Sequence, residues 1–305
     1  MPPVNIVPES ENPFAGVLPI STYHDDELLR ELVDKVYSYI ARRNPNIRRV
    51  IEIGPGTNSE PMRAAMDRGW YHIGIDYPNR GFSYYGNRER STADGDILEA
   101  VERSELSDLK ESTDIILFWG SGVHAGKNGE IFTVYASIME DLITKSLSTN
   151  RSLRTEDIDV EIYRLGRKLY ADLKNWLSPG GCIVETNLGY AKNFNEPYFY
   201  LDNDISGSKL QAFVPYVSDM FSKVELMERS RASLQEAAKR RVEEWWKKGE
   251  NAFLDHIYRG WILKKKDDGK IHGNYWKDYE FSSLDEALQT VVKIEKVTDA
   301  AIFWK

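Results

Sequence analysis

The sequence predicts an α/β protein: a doubly wound, mostly parallel sheet with helical insertions and a small C-terminal α+β appendage. Three observations carry this expectation. Short apolar runs recur at 50–53, 70–76, 113–118 and 182–184, with longer segments between them. Helical patterns fill part of those gaps, most clearly at 25–43, where Leu28, Leu29, Leu32, Val33, Val36 and Ile40 recur at helical spacing. The first apolar run also passes through a glycine turn directly into a helix signal.

That first junction reads Val50-Ile51-Glu52-Ile53-Gly54-Pro55-Gly56-Thr57-Asn58. Asn58 or Ser59 can cap the following helix, Pro61 suits its first turn and Gly69 can close it. Glycines let a ligand approach the backbone, and a helix N-terminus offers unpaired N–H groups, so the junction suits a nucleotide-like ligand. A dinucleotide fingerprint would be Gly-x-Gly-x-x-Gly after an apolar strand. Here Ser59 stands at the third glycine position, and the acid Glu52 lies two residues before Gly54. A carboxylate there repels pyrophosphate and attracts a cationic ligand end.

The other elements follow in order. Residues 1–20 read as irregular, and Pro45 stops the helix of 25–43. The second strand, 70–76, ends in Asp76, 20 residues beyond Gly56. The segment 77–93 holds Pro78, two glycines, three arginines and the aromatics Phe82, Tyr84 and Tyr85. It reads as a loop over a bound ligand or as a surface excursion. The fourth strand is expected at 113–120 and a glycine turn at 177–181 before a fifth. Helices are expected at 131–147 and 158–177. An aromatic loop, 189–200, reads as a pocket wall or as loop anchors. A helix at 208–221, a strand at 223–228, a charged helix at 233–248 and a final main-sheet strand at 258–265 complete the sheet. Asp267-Asp268-Gly269 marks a turn and a boundary. Residues 271–305 read strand, helix, strand. The expected division is an N-terminal segment and helix at 1–45, a ligand-binding domain at 46–266 and the appendage at 267–305.

In its residues and their order the stretch 50–265 resembles the class I S-adenosylmethionine-dependent methyltransferases. The family's first motif is an acid followed by Gly-x-Gly, matched by Glu52, Gly54, Pro55, Gly56 and Asn58. S-adenosylmethionine carries a sulfonium and an ammonium and no phosphate, which suits Glu52. The resemblance implies that Asp76 accepts from the ribose hydroxyls and that Asp96, with the backbone of Ile97, meets the adenine. Trp119 and Gly120 would border the cofactor after the fourth strand. Phe14 and Leu18 would belong to an N-terminal lid, and the Leu177-Ser178-Pro179-Gly180-Gly181 turn resembles the one before the family's fifth strand. The family's final two strands form an antiparallel pair at one edge.

Methyl transfer mainly needs alignment and exclusion of water, with a base only where the acceptor loses a proton. His124, in a glycine-rich loop after the fourth strand, is the candidate base, against a plain exposed or structural role. Tyr190 is the second candidate, as donor or pocket wall. The fourth strand does not lead into the Asn/Asp-Pro-Pro-aromatic motif of enzymes acting on base amino groups. Cys182, the lone cysteine, sits inside a strand, where a small apolar residue is a sufficient reading. Glu185 and Asn187 end the fifth strand, but the fourth offers no carboxylate to join them, so no catalytic metal is expected.

The chain has 305 residues, 41% apolar and 29% charged, with a formal charge of −8. That balance disfavours a polyanionic partner, and the Lys239-Arg240-Arg241 run reads as a solvated helix face. No apolar stretch approaches the ~20 residues of a membrane span. The proline-rich 1–19 stretch lacks signal-peptide features, so a cytoplasmic location is the default expectation. The acceptor is expected to be a small molecule, modified at oxygen or nitrogen. Two rivals stand beside this reading. Tyr170-x-x-x-Lys174 mimics the catalytic pair of NAD(P)-dependent reductases, and the chain could also be a cofactor-fold scaffold subunit. A homodimer, or partner docking through the appendage, is open.

Overall fold

Side chains that alternate between two buried faces build the main sheet. Ile51, Ile53, Ile116, Phe118 and Ile183 point into one apolar layer, and Val50, Ile115, Leu117, Cys182 and Val184 into the other. A sheet covered on both faces wants such near-continuous apolar runs. The computed structural model describes residues 4–17, 26–53, 60–76, 88–91, 109–118, 155–186, 214–254, 261–274, 277–292 and 296–305.

The main sheet contains β1 (Val4–Ile6), β2 (Arg49–Ile53), β3 (Tyr71–Asp76), β4 (Arg88–Ser91), β5 (Thr113–Phe118), β6 (Leu177–Thr186), β7 (Lys223–Ser230) and β12 (Lys296–Trp304). Their order is β1-β7-β12-β6-β5-β2-β3-β4. Only β12 runs antiparallel, and it does so to both of its neighbours. Helix α1 (Asp26–Arg43) and α2 (Glu60–Asp67) cover one face of the sheet, and α3 (Thr155–Trp176) covers the other. In α1 the predicted apolar stripe is buried in full, with Tyr37 and Tyr39 added to it. Arg68 at the end of α2 donates to Asp34 at 2.5 Å and to Ser38 at 3.1 Å on α1, which fixes the two helices side by side.

The Leu-Ser-Pro-Gly-Gly turn has a clear physical origin. Thr113 pairs with Leu177, the next pair is Ile115 with Cys182, and the intervening residues bulge outward. Gly180 has φ +76°, the left-handed region, and a Cβ on Gly181 would lie 3.0 Å from the Thr113 and Asp114 carbonyls. Ser178 Oγ donates to Asp114 Oδ1 at 2.5 Å and holds the bulge to the neighbouring strand.

Two strand assignments from sequence are corrected. The segment expected as the last main-sheet strand is β9 (Trp261–Lys265), which lies in a second, antiparallel sheet with β8 (Ala252–Leu254), β10 (Ile271–Asn274) and β11 (Asp278–Phe281). The antiparallel place in the main sheet belongs to β12, which the sequence reading put in the appendage. The pattern explains the exchange. Ala300 to Trp304 are all buried, as a central strand requires, whereas β9 alternates and ends in two exposed lysines. The Asp267-Asp268-Gly269 turn is likewise no boundary. It closes the β9–β10 hairpin, in which Lys265 pairs with Ile271 and Gly269 takes φ +83°.

Helix α4 (Arg231–Lys247) and α5 (Leu284–Val291) cover one face of the second sheet and form a third apolar cluster with it. Ser230 caps α4 by accepting from Ser233 N at 3.3 Å. Ser283 caps α5, and Glu286 reaches back to Ser282 N at 2.8 Å in a reciprocal box. The basic run on α4 is not simply a solvated face. Lys239 pairs with Asp285 at 2.8 Å, Arg240 donates to the Gly16 carbonyl, and Arg241 is buried beside Glu244 and over Trp245. The N-terminal segment is also more ordered than expected. It adds the edge strand β1 and buries Phe14 and Val17 against the α1 side, while Leu18 lies outside the described residues.

One buried ion pair holds the β7–β12 junction. Arg229 donates to both oxygens of Asp299 at 2.7 Å, and a further N–H reaches the Val17 carbonyl. Asp299 sits where the β7–β12 register shifts between Thr298 and Ala300. Burial pushes its carboxyl up, against the pull of the guanidinium. Asp299→Ala removes the bidentate carboxylate from a buried guanidinium and is expected to cost about 3–5 kcal/mol by urea denaturation. The double change Arg229→Met with Asp299→Leu is expected to cost less than that single change. In the second sheet a Cβ on Gly273 would lie 2.7 Å from the Phe281 ring and 3.1 Å from Trp261. Gly273→Ala is expected to lower stability by about 1–3 kcal/mol in the same measurement.

Candidate functional site

The chain reverses its direction of growth between β2 and β5. From β2 it adds β3 and β4 on one side, then crosses to build β5 and β6 on the other. Parallel strands all end at one edge, and the divergence of the connections leaves a crevice outside the carboxyl ends at such a switch point. β2 ends at Ile53, paired with Ile75 and Phe118, so the strand that precedes Gly54-Pro55-Gly56 in the sequence ends at that crevice. Asp76 ends the adjacent strand, β3, at the same edge.

Glu52 lies one residue before the end of β2 and is only 1% exposed. It shares a face with Val50 and with the Leu117 side of β5, below α1 and α2. Its Oε2 is 3.0 Å from Nε2 of His72, which is also buried. Tyr37 on α1 is close enough for burial, and then the Glu52 charge, to push its phenol well up. Its hydroxyl donates to the Pro61 carbonyl at 3.3 Å, in the first turn of α2. That turn also carries Glu60, 5% exposed, 2.8 Å from Arg63 and 3.6 Å from Arg30. A carboxylate therefore already stands in the helix turn where a dinucleotide fold would receive phosphate.

A second acid, Glu185, closes the carboxyl end of β6 beside Phe118. It is fully buried and accepts from the Tyr170 hydroxyl of α3. Tyr170 stacks on Phe118 at 6.0 Å and meets Phe303 edge-on at 5.2 Å. Thr186 Oγ1 donates to the Phe118 carbonyl at 3.1 Å and ties the two strand ends together. Tyr170 is thus a core residue, and Lys174 one turn on donates to the Met220 carbonyl. Both side chains are engaged in packing, so the reductase-like pair has no catalytic arrangement here. Cys182 is fully buried in the other apolar layer, and burial pushes its thiol well up, as suits a packing residue.

That strand order, with one antiparallel strand slotted between the fifth and sixth parallel ones, decides the architecture. The fold is that of the class I methyltransferases.

Of the residues the sequence reading assigned to the site, the structure brings Glu52 and the backbone of Asp76 to the ends of adjacent strands. Gly54, Pro55, Gly56, Asn58, Asp96, Ile97, Trp119, Gly120, His124 and Tyr190 lie outside the described residues, as do the aromatic loop expected at 189–200, the helix expected at 131–147 and most of the loop expected at 77–93, of which 88–91 forms the strand β4 instead. The place of His72 beside Glu52 and the pairing of Tyr170 with Glu185, two residues the sequence reading named for other reasons, were not foreseen. For His72 and Glu185 the signal is the one that drew attention to Glu52, a polar residue in an otherwise apolar buried strand.

Comparison with known proteins gives the following. No family model matches the sequence, and no curated protein matches it. Among solved structures the chain is similar to a SAM-dependent methyltransferase from Archaeoglobus fulgidus, at 15% identity and a TM-score of 0.36, over 90% of this chain and 94% of that one. It is also similar to Haemonchus contortus phosphoethanolamine N-methyltransferase 2, at 13% identity and a TM-score of 0.34, over 88% of this chain and 51% of that one. A third likeness is to the [4+2]-cyclase SpnF, at 11% identity and a TM-score of 0.34, over 94% of this chain and 86% of that one. These likenesses add nothing beyond the fold, which the strand order already defines.

Proposed function

We propose that the chain binds S-adenosylmethionine at the β2–β5 switch point and transfers its methyl group to an oxygen or nitrogen of a small molecule. The observation that carries the reading is the buried Glu52, one residue before the end of β2 and two residues before Gly54. A dinucleotide would place pyrophosphate at this turn, against Glu52 and against Glu60 in the first turn of α2. A sulfonium cofactor with an α-amino group places positive charge there instead. Asp76, at the end of the next strand, would take the ribose hydroxyls, Asp96 and Ile97 the adenine, and Trp119 and Gly120 the far side of the cofactor.

For the transfer itself these residues would hold the ligand, align it with the acceptor and exclude water, and the cofactor would supply the methyl group on its sulfonium. Where the acceptor carries a proton, His124 is the base, with Tyr190 as donor or pocket wall. A small acceptor fits the net charge of −8, which opposes a polyanion. Methylation through a cysteine nucleophile does not fit the buried position of Cys182. Among the described residues no helix is long and apolar enough to cross a membrane.

Titration calorimetry with S-adenosylmethionine, S-adenosylhomocysteine and NADPH tests the reading. The first two are expected to bind and the third not to. Gly54→Arg is expected to abolish binding, and Asp76→Ala to weaken it by about tenfold to a hundredfold, the worth of hydrogen bonds to a charged group. Circular dichroism should show both variants folded. Binding of NADPH alone, or unchanged affinity in both variants, would sink the assignment. Binding of none of the three ligands would favour a scaffold subunit.

A further inference from the structure

His72 lies on β3 opposite Val50, and the next residue of β3 on that face, Gly74, lies opposite Glu52. Glycine brings no side chain to the place beside the carboxylate. The imidazole fills it from the diagonal position and puts Nε2 at 3.0 Å from Glu52 Oε2. Both side chains are buried, at 0% and 2% exposure. A carboxylate at that depth needs hydrogen bonds to remain ionised, and each one also fixes its orientation.

The other ring nitrogen identifies the donor. His72 Nδ1 is buried and has no hydrogen-bond partner among the described residues. A proton there would be an orphaned donor, which costs more than an unused lone pair. The ring therefore carries its proton on Nε2 and donates to Glu52. Here the one bond goes to the acid that borders the glycine turn. The nearby Tyr37 hydroxyl is directed away, to the Pro61 carbonyl.

We propose that His72 is a positioning residue for the cofactor. By holding one oxygen of Glu52 it sets the direction in which the carboxylate meets the amino-acid end of the ligand. This rests on the S-adenosylmethionine reading above and extends it to a residue outside the glycine motif.

The test is calorimetry on the full chain with two probes. S-adenosylhomocysteine carries the amino-acid end, and 5′-methylthioadenosine shares the nucleoside and thioether but lacks that end. His72→Leu is expected to weaken S-adenosylhomocysteine by about tenfold, the worth of one charge-assisted hydrogen bond, and to leave methylthioadenosine unchanged. His72→Gln, whose amide nitrogen can stand where Nε2 stood, is expected to stay within about threefold of wild type for both probes. In the Glu52→Gln background, His72→Leu should add little, since the two residues act as one unit. Should His72→Leu fail to fold, His72→Asn against His72→Gln decides, because the shorter amide cannot reach Oε2. Unchanged S-adenosylhomocysteine affinity in the leucine and asparagine variants overturns the proposal, and so does equal loss for the two probes. A wild-type chain that binds neither probe overturns the cofactor reading itself, and this proposal with it.

Discussion

Everything in the main sheet depends on the C-terminal strand finding its place between β6 and β7. β12 contributes the antiparallel partner to both, from Trp304 opposite Cys182 and Lys223 to Ala300 opposite Thr186 and Met227. Without it β6 would present an open edge, and β7 with β1 would have no strand pairing to the rest of the sheet. The strand is apolar on both faces because Ala301 and Phe303 enter one layer and Ala300, Ile302 and Trp304 the other. Its end is fastened by Trp304, whose indole donates to the buried Glu225 at 2.8 Å while its carbonyl accepts from Ser222 N at 2.9 Å. Pairing residues so far apart in sequence costs loop-closure entropy, which the continuous apolar contact offsets.

The same constraint explains how the second sheet can be inserted without disturbing the first. Ser230 ends β7 and pairs with Lys296, the start of β12. The segment between them, with α4, α5 and the strands β8 to β11, therefore leaves and rejoins the main sheet at one point. Arg229 and Asp299 clamp this neck just inside it, and the Val17 carbonyl brings the N-terminal segment to the same place. A buried ion pair is a poor source of net stability, but its geometry admits few alternatives, which suits a junction that must keep its register.

How much of this was legible in the sequence follows from which forces act locally. The helix at 25–43, the strands around Val50, Ile73, Ile115 and Ile183, and the glycine-rich bulge at 178–181 declare themselves through periodicity and glycine chemistry, and each was found. The exchange of β9 and β12 arose because both are short apolar strands. Their difference, alternation against continuity, becomes decisive only when the faces to be covered are known. The reading of the basic run as a plain solvated face was incomplete for a related reason, since Arg241 is buried and the exposed Arg240 is bonded to the N-terminal segment. Their partners, Gly16 and the Trp245 ring, are brought near by tertiary folding and by the helix turn, and net charge does not reveal them. At the site, Glu52 was visible as an acid in an apolar run. His72 shows the same anomaly, but its role depends on β2 and β3 pairing in the register that sets Gly74 beside Glu52.

That register also bears on where specificity would be built. In the proposed site the cofactor end is defined by rigid elements: the last residues of β2 and β3, the first turn of α2 and the α1 side chains behind them. β7 runs parallel to β6, so its carboxyl end, where the inserted segment leaves, lies at the same edge of the sheet as the ends of β2, β3 and β5. The sheet thus separates two tasks along one edge. A buried acid such as Glu52, on a strand paired on both sides, can hold an invariant cationic ligand with little freedom. The connections that follow β5, β6 and β7 depart from the other half of the edge and can change length and composition without altering the pairing beneath them. A fold arranged this way can keep one cofactor while its acceptor changes, because the residues that recognise each are attached to different strands.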